Sequence, residues 1–278
     1  MSTPFRFAVP SDGGTRCMLL IVGEPFTGKT TSATTFPNPM FIDLDHKVPA
    51  TRLVDGVKVP VDTLPFWSAE FCDKFKKRAN INCPPNKRDA VLMFLEKHIA
   101  ELPKDCTLVL DSLTMLSAAF HHQTEEVETL PINPKTNKTD GFYLWKEKIN
   151  YFNAIMELLK VHPGHVIVIA HEQKKRDETG DLTEVIKPVM TGAFCDLIMS
   201  HFTLVFRQTL RKSKGLEEYL WDVKPTPFFR SNNTLGIKES PIKAEFASIK
   251  PYLDNPQPTE VKFDIAAPAT PKGDVALT

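Results

Sequence analysis

Residues Gly23–Thr30 read Gly-Glu-Pro-Phe-Thr-Gly-Lys-Thr, a complete match to the spacing G-x-x-x-x-G-K-[ST]. No other stretch constrains the fold of this chain as strongly. Four fixed positions meet by chance in a chain this long roughly once in a hundred. The flanks also suit the motif: an apolar run, Cys17–Val22 (CMLLIV), precedes it and a helical stretch, Thr30–Phe36, follows. A glycine-rich turn between strand and helix lets successive backbone N–H groups point at phosphate oxygens, and the helix start adds partial positive charge. Lys29 then supplies a full charge and Thr30 a hydroxyl for a magnesium ion. The expected nucleotide-binding residues are Gly23, Glu24, Pro25, Phe26, Thr27, Gly28, Lys29, Thr30 and Thr31.

Short apolar runs alternate with amphipathic stretches along the rest of the chain, the pattern of an α/β fold with a mostly parallel central sheet flanked by helices. The further expected strands are Met40–Leu44, Thr107–Leu110, Val166–Ala170 and Thr203–Arg207. The further expected helices are Lys87–Glu101, Leu113–Glu125 and Phe142–Val161. Three of the strands stop at a polar residue: Asp45, Asp111 and His171. Ligands of open parallel sheets sit at the carboxyl ends of the strands, so these three are expected to converge.

Composition closes off other classes. Of 278 residues, 34 are Lys or Arg and 34 Asp or Glu, giving a net charge of 0, so any nucleic-acid contact has to come from a local patch. The five cysteines are scattered, with no C-x-x-C pair, which argues against a disulfide scaffold or zinc ribbon. The start of the chain lacks an apolar leader segment and no run reaches the length of a membrane span, so a soluble intracellular protein is expected.

Two segments exceed a minimal sheet-and-helix plan. Thr129–Gly141 is polar and broken by prolines, and Glu172–Gly192 reads as a protruding β-hairpin around Asp-Glu-Thr-Gly-Asp. The expected domain covers 1–253, followed by a flexible, proline-rich, mildly acidic tail over 254–278.

Asp111 ends a strand expected to be buried on both faces. It suits a water-mediated hold on magnesium, or alternatively an N-cap of the next helix.

GEPFTGKTT, PNPMFIDLDH, TLVLDSLTML and VIVIAHEQ, in that order and spacing, resemble the RecA-like P-loop ATPase core. The nearest likeness is to bacteriophage RecA-like ATPases, including the RecA-related group of phage single-strand annealing proteins. The likeness spans about Met18–Arg230. It implies ATP and Mg2+ as ligands and single-stranded DNA as partner. It also implies a homo-oligomeric ring or filament and a place in the cytoplasm, that of the host cell if phage-encoded. A single-strand-binding protein is a further expected partner.

The resemblance implies that Asp45 orients the attacking water, although the family usually has glutamate there. Asp43, on the same side of the strand, is the alternative base, and local hydrogen bonding is the plain alternative for both. His171 takes the place of a γ-phosphate sensor. The hairpin after it, with Lys174, Lys175 and Arg176, takes the place of a DNA-facing loop, and Lys135 and Lys138 add to that face. Arg230, with Lys224 second, is the expected contact to a neighbouring subunit's nucleotide. Two other readings stay open: a nucleotide-switched adaptor such as a helicase loader, and a small-molecule kinase on the same scaffold.

Overall fold

The computed structural model describes residues 16–54, 57–64, 87–127, 131–133, 138–139, 141–175, 178–179, 182, 184–190, 194–213 and 215–255. The candidate DNA contacts Lys135 and Arg176 lie outside the described residues, as does the side chain of Lys138.

The central sheet is built on β1 (Met18–Gly23), β2 (Pro39–Asp43), β5 (Asp62–Leu64), β6 (Thr107–Asp111), β9 (Val166–Gln173) and β11 (Leu204–Ser213), which pair in parallel. Strands β12 (Leu216–Asp222) and β14 (Ile242–Lys243) extend it antiparallel, in the order β14-β12-β11-β1-β9-β6-β2-β5. Two short strands attach at the margins, β10 (Lys187–Pro188) on β9 and β13 (Asn232–Asn233) on β11. Separate two-stranded ribbons are made by β3 (Thr51–Val54) with β4 (Val57–Pro60) and by β7 (Ile132–Asn133) with β8 (Lys138–Thr139).

The strands are continuous apolar runs because both faces of the sheet are covered. Along β1, Leu20 and Val22 face one core and Leu19 and Ile21 the other. The first core is closed by α2 (Lys87–His98), α3 (Leu113–His121), α4 (Gly141–Val161) and α5 (Phe194–Leu197), with Phe152 stacked on Phe194 at 5.6 Å. The second is closed by α1 (Lys29–Ala33) and α6 (Phe246–Asp254), where Phe36 packs on Phe246 and Trp221. Of the expected tail, Asp254 ends α6 and Asn255 follows it; the remainder lies outside the described residues.

Helix α1 is shorter than the sequence suggests. The Thr34 and Thr35 hydroxyls each bond back to a carbonyl one turn earlier, of Thr31 and Ser32, at 2.7 Å. Such bonds compete with the helix ladder, and Pro37 follows. Strand β11, by contrast, runs six residues past the expected end at Arg207, because the polar continuation to Ser213 is held by pairing with β12.

Strand β9 lies between β1 and β6. The phosphate-loop strand and the Asp111 strand are therefore separated by one inserted strand, and His171 on that strand aligns with Gly23 on β1.

Candidate functional site

The phosphate loop leaves β1 at Gly23 and enters α1 at Lys29. Gly28 has φ 78, a left-handed conformation that only glycine adopts without strain. A Cβ there would also stand 2.6 Å from the Tyr219 ring. Gly23 needs to be glycine for a different reason: its Cβ would lie 2.6 Å from the Gln208 carbonyl oxygen. Phe26, at φ 64, stands at the loop's apex with 91% of its surface exposed, and nothing among the described residues explains the aromatic side chain.

Gly28→Ala is accordingly expected to lose nucleotide binding and to destabilise the fold by about 1–3 kcal/mol, the range for one strained backbone position. Thermal denaturation with a nucleotide titration checks both; wild-type affinity in the variant would show the loop to be more tolerant than its geometry implies.

Lys29 is buried, and its side chain turns back into the loop. Its Nζ donates to the Gly23 carbonyl at 3.0 Å and the Glu24 carbonyl at 2.6 Å, and lies 3.4 Å from His171 Nδ1. Among the described residues no carboxylate is within ion-pairing distance of it. Burial pulls its pKa down to about 8 in spite of the surrounding Asp111, Glu172, Asp45 and Glu24 charges. A buried cation without a directly paired anion gains strongly from an anionic ligand.

Thr30 and Asp111 meet directly: Thr30 Oγ1 donates to Asp111 Oδ2 at 2.6 Å. Asp111 is only 3% exposed. Burial raises its pKa to about 6 against the lowering effect of the Thr30 bond, with the negative charges of Asp45 and Asp43 adding to the rise. The capping alternative for Asp111 falls away, because the N-cap of α3 is Ser112, whose hydroxyl accepts from Met115 N at 3.3 Å. The hydroxyl and carboxylate form the hard oxygen donor set that a magnesium ion takes.

Asp45 lies just beyond β2 and faces the same space. Ser112 Oγ donates to its Oδ1 at 3.2 Å, and His171 Nε2 is 3.8 Å from its Oδ2. Burial pushes the Asp45 carboxyl up, but the nearby His171 imidazole, the Ser112 hydrogen bond and the Lys47 charge outweigh it, leaving it below its usual value. Asp43 is occupied otherwise: its carboxylate accepts the backbone N–H groups of Asp45, Lys47 and Val48 at 3.2, 3.4 and 3.2 Å, which shapes the loop that presents Asp45. His171 lies within β9, two residues before its end, and is held by Thr114 Oγ1, which accepts from its backbone N–H at 2.9 Å. Lys29, Thr30, Asp111, Asp45 and His171 thus converge as expected from the strand ends.

Lys174 does not lie on the outer face of the hairpin. Its ammonium is ion-paired to Glu24 of the phosphate loop and, at 2.6 Å, to Glu172, whose side chain is 1% exposed. Arg207 binds the same Glu172 carboxylate at 2.8 Å. Burial raises the Glu172 pKa, but the Arg207 and Lys174 bonds and charges prevail and hold it down. Lys175 is exposed and pairs with Glu184 at 2.7 Å. Lys224 and Arg230 are exposed, and among the described residues neither makes a hydrogen bond or ion pair to Lys29, Thr30, Asp45, Asp111 or His171.

The sequence reading missed the hairpin formed by β11 and β12. Gln208 Nε2 donates to the Thr27 carbonyl at 2.6 Å, and Trp221 Nε1 donates to Gln208 Oε1 at 3.0 Å. This chain of buried bonds fastens the phosphate loop to the neighbouring strands. The signal for it in the sequence was a Lys-Gly pair between the strand-like runs FRQTLRKS and LEEYLWD.

The sheet order, the phosphate loop and the Thr30–Asp111 contact define an α/β P-loop nucleotide-binding fold. The chain matches the AAA domain family over residues 15–235, most of its length, and belongs to that family. No curated protein matches it in sequence. Solved structures similar to it include the RadB recombinase, at 12% identity and TM-score 0.35 over 75% of this chain and 82% of that one. The flagellar accessory protein FlaH from Methanocaldococcus jannaschii is similar at 15% identity and TM-score 0.31, over 79% and 87%. A KaiC-like protein from Pyrococcus horikoshii OT3 is similar at 13% identity and TM-score 0.39, over 86% and 94%. At such scores these likenesses carry no argument about activity. No helix among the described residues is long and apolar enough to cross a membrane.

Proposed function

We propose that this chain binds and hydrolyses ATP as a RecA-like P-loop ATPase and that its turnover is coupled to single-stranded DNA. The observation that carries the nucleotide reading is the buried Lys29 ammonium beside the Thr30–Asp111 contact, held by loop carbonyls and His171 and, among the described residues, by no paired carboxylate. Lys29 places its charge on the terminal phosphates. Thr30 and Asp111 hold Mg2+, which when bound neutralises charge on the phosphate oxygens. Asp45, ionised at neutral pH and steadied by Ser112, orients the attacking water. His171, between Lys29 and Asp45, registers the terminal phosphate by hydrogen bonding.

The DNA reading draws on the family resemblance and on position: β9 carries His171 and leads directly into the segment bearing Lys175. The chain acts as a homo-oligomer in which the exposed Arg230 reaches a neighbour's nucleotide. ATP turnover measured with and without single-stranded DNA tests the reading, and the expected result is stimulation by DNA. Turnover that ignores DNA would remove the DNA coupling. Tight nucleotide binding without turnover in either condition would instead favour a nucleotide-switched adaptor, a reading that the aspartate at position 45 supports.

A further inference from the structure

The β11–β12 hairpin does more than anchor the phosphate loop. It lies on the side of β1 opposite to β9, β6 and β2, the strands that bring His171, Asp111 and Asp45. Gly23 aligns with Gln208, and β11 continues five residues further to Ser213. At about 3.4 Å per residue this is roughly 17 Å of strand rising past the end of β1. Strand β12 returns alongside it, so the two form a wall beside the loop.

Side chains alternate along a strand, and one face of the wall looks toward α1. On that face the buried Gln208–Trp221 pair comes first, then Leu210 opposite Tyr219, then Lys212 opposite Glu217, an exposed ion pair at 2.7 Å. The middle pair is apolar and half-buried. The Tyr219 ring atoms Cε1, Cδ1 and Cζ stand 2.6, 2.7 and 2.9 Å from where a Cβ on Gly28 would be, so the ring lies directly on the phosphate loop. Among the described residues its hydroxyl makes no hydrogen bond and no other ring stacks on it. A tyrosine hydroxyl usually finds a hydrogen-bond partner when buried; Tyr219 is half-buried, packed by its ring on the second core, and its hydroxyl is left available to a ligand.

The orientation of a bound nucleotide follows from the site. Lys29, the Thr30–Asp111 pair, Asp45 and His171 fix the terminal phosphates toward β9, β6 and β2. The remainder of the molecule then leads back across Gly28 toward the hairpin. We propose that Leu210 and Tyr219 form the nucleoside subsite, with the Tyr219 ring as an aromatic surface for the base and its hydroxyl available to the base or sugar. This rests on the nucleotide reading above and adds to it the residues that distinguish a nucleoside triphosphate from a bare polyphosphate.

Calorimetric titration of ATP and of inorganic tripolyphosphate, each with Mg2+, into wild type, Tyr219→Ala and Tyr219→Phe tests it, with a thermal melt to establish folding. Tyr219→Ala should weaken ATP roughly ten-fold or more, the scale of one lost base–aromatic contact. It should leave tripolyphosphate affinity within about two-fold, and Tyr219→Phe should keep most of the ATP affinity. Equal losses for both ligands would show that Tyr219 only shapes the loop, and unchanged ATP affinity would place the base elsewhere; either result overturns the subsite. Failure of the wild type to bind either ligand would overturn the nucleotide reading itself and the subsite with it. Should Tyr219→Ala not fold, Leu210→Ala takes its place, with the same selective loss of ATP over tripolyphosphate expected and equal or absent loss overturning the proposal.

Discussion

Replacing Lys29 by methionine is expected to lower the catalytic efficiency of ATP hydrolysis by about a hundred-fold or more, the scale of losing one preorganised charge or donor at a reacting oxygen. Methionine keeps most of the aliphatic volume, so the change isolates the ammonium. The expected effect on stability has the opposite direction. The Lys29 ammonium is buried, its pKa is drawn down to about 8 by that burial, and its close contacts are two carbonyls and one imidazole. Removing a charge whose burial is incompletely compensated relieves a cost. The melting temperature should therefore stay level or rise while activity is lost. A variant that keeps wild-type turnover would disprove the phosphate role. A variant that loses activity by unfolding would show that Lys29 holds the loop together in the absence of ligand.

The phosphate loop, Asp111 and His171 were legible because they are local events: each lies where a short apolar strand meets a polar residue, and strand ends of a parallel sheet share one edge. Asp45 was legible by the same logic, but the division of labour between it and Asp43 was not. Both carboxylates sit two residues apart at one strand end, and only the three backbone N–H groups turned toward Asp43 separate them. The role of Lys174 was hidden for a related reason. A run of Lys-Lys-Arg reads as one basic face, whereas β9 extends to Gln173 and sends Lys174 back to Glu24 and Glu172. Gln208, Tyr219 and Trp221 act through pairing across the β11–β12 hairpin with a loop nearly two hundred residues earlier in the chain. Periodicity marks a strand but does not say which loop lies beside it, so these contacts required the fold.

The aspartates at the end of β2 supply the sharpest test of how the site works. Asp45→Asn preserves the size of the side chain and can still accept from Ser112, so nucleotide binding should change little. It removes the charge proposed to orient the water, and hydrolysis should fall about a hundred-fold or more, as for the loss of a positioned base. Asp43→Ala should behave differently. Its carboxylate organises the turn through Val48, so its loss should cost about 1 kcal/mol of stability, the usual worth of a backbone-capping side chain. Turnover should fall only as far as the displaced loop misplaces Asp45. Chemical denaturation and single-turnover hydrolysis on the two variants separate the roles. Should Asp43→Ala abolish the chemical step at full stability while Asp45→Asn leaves it intact, the base is Asp43 and the Asp45–Ser112–His171 arrangement serves structure. If both variants turn over at the wild-type rate, neither carboxylate orients the water, and the aspartate at position 45 then belongs to a site built to bind nucleotide and report it.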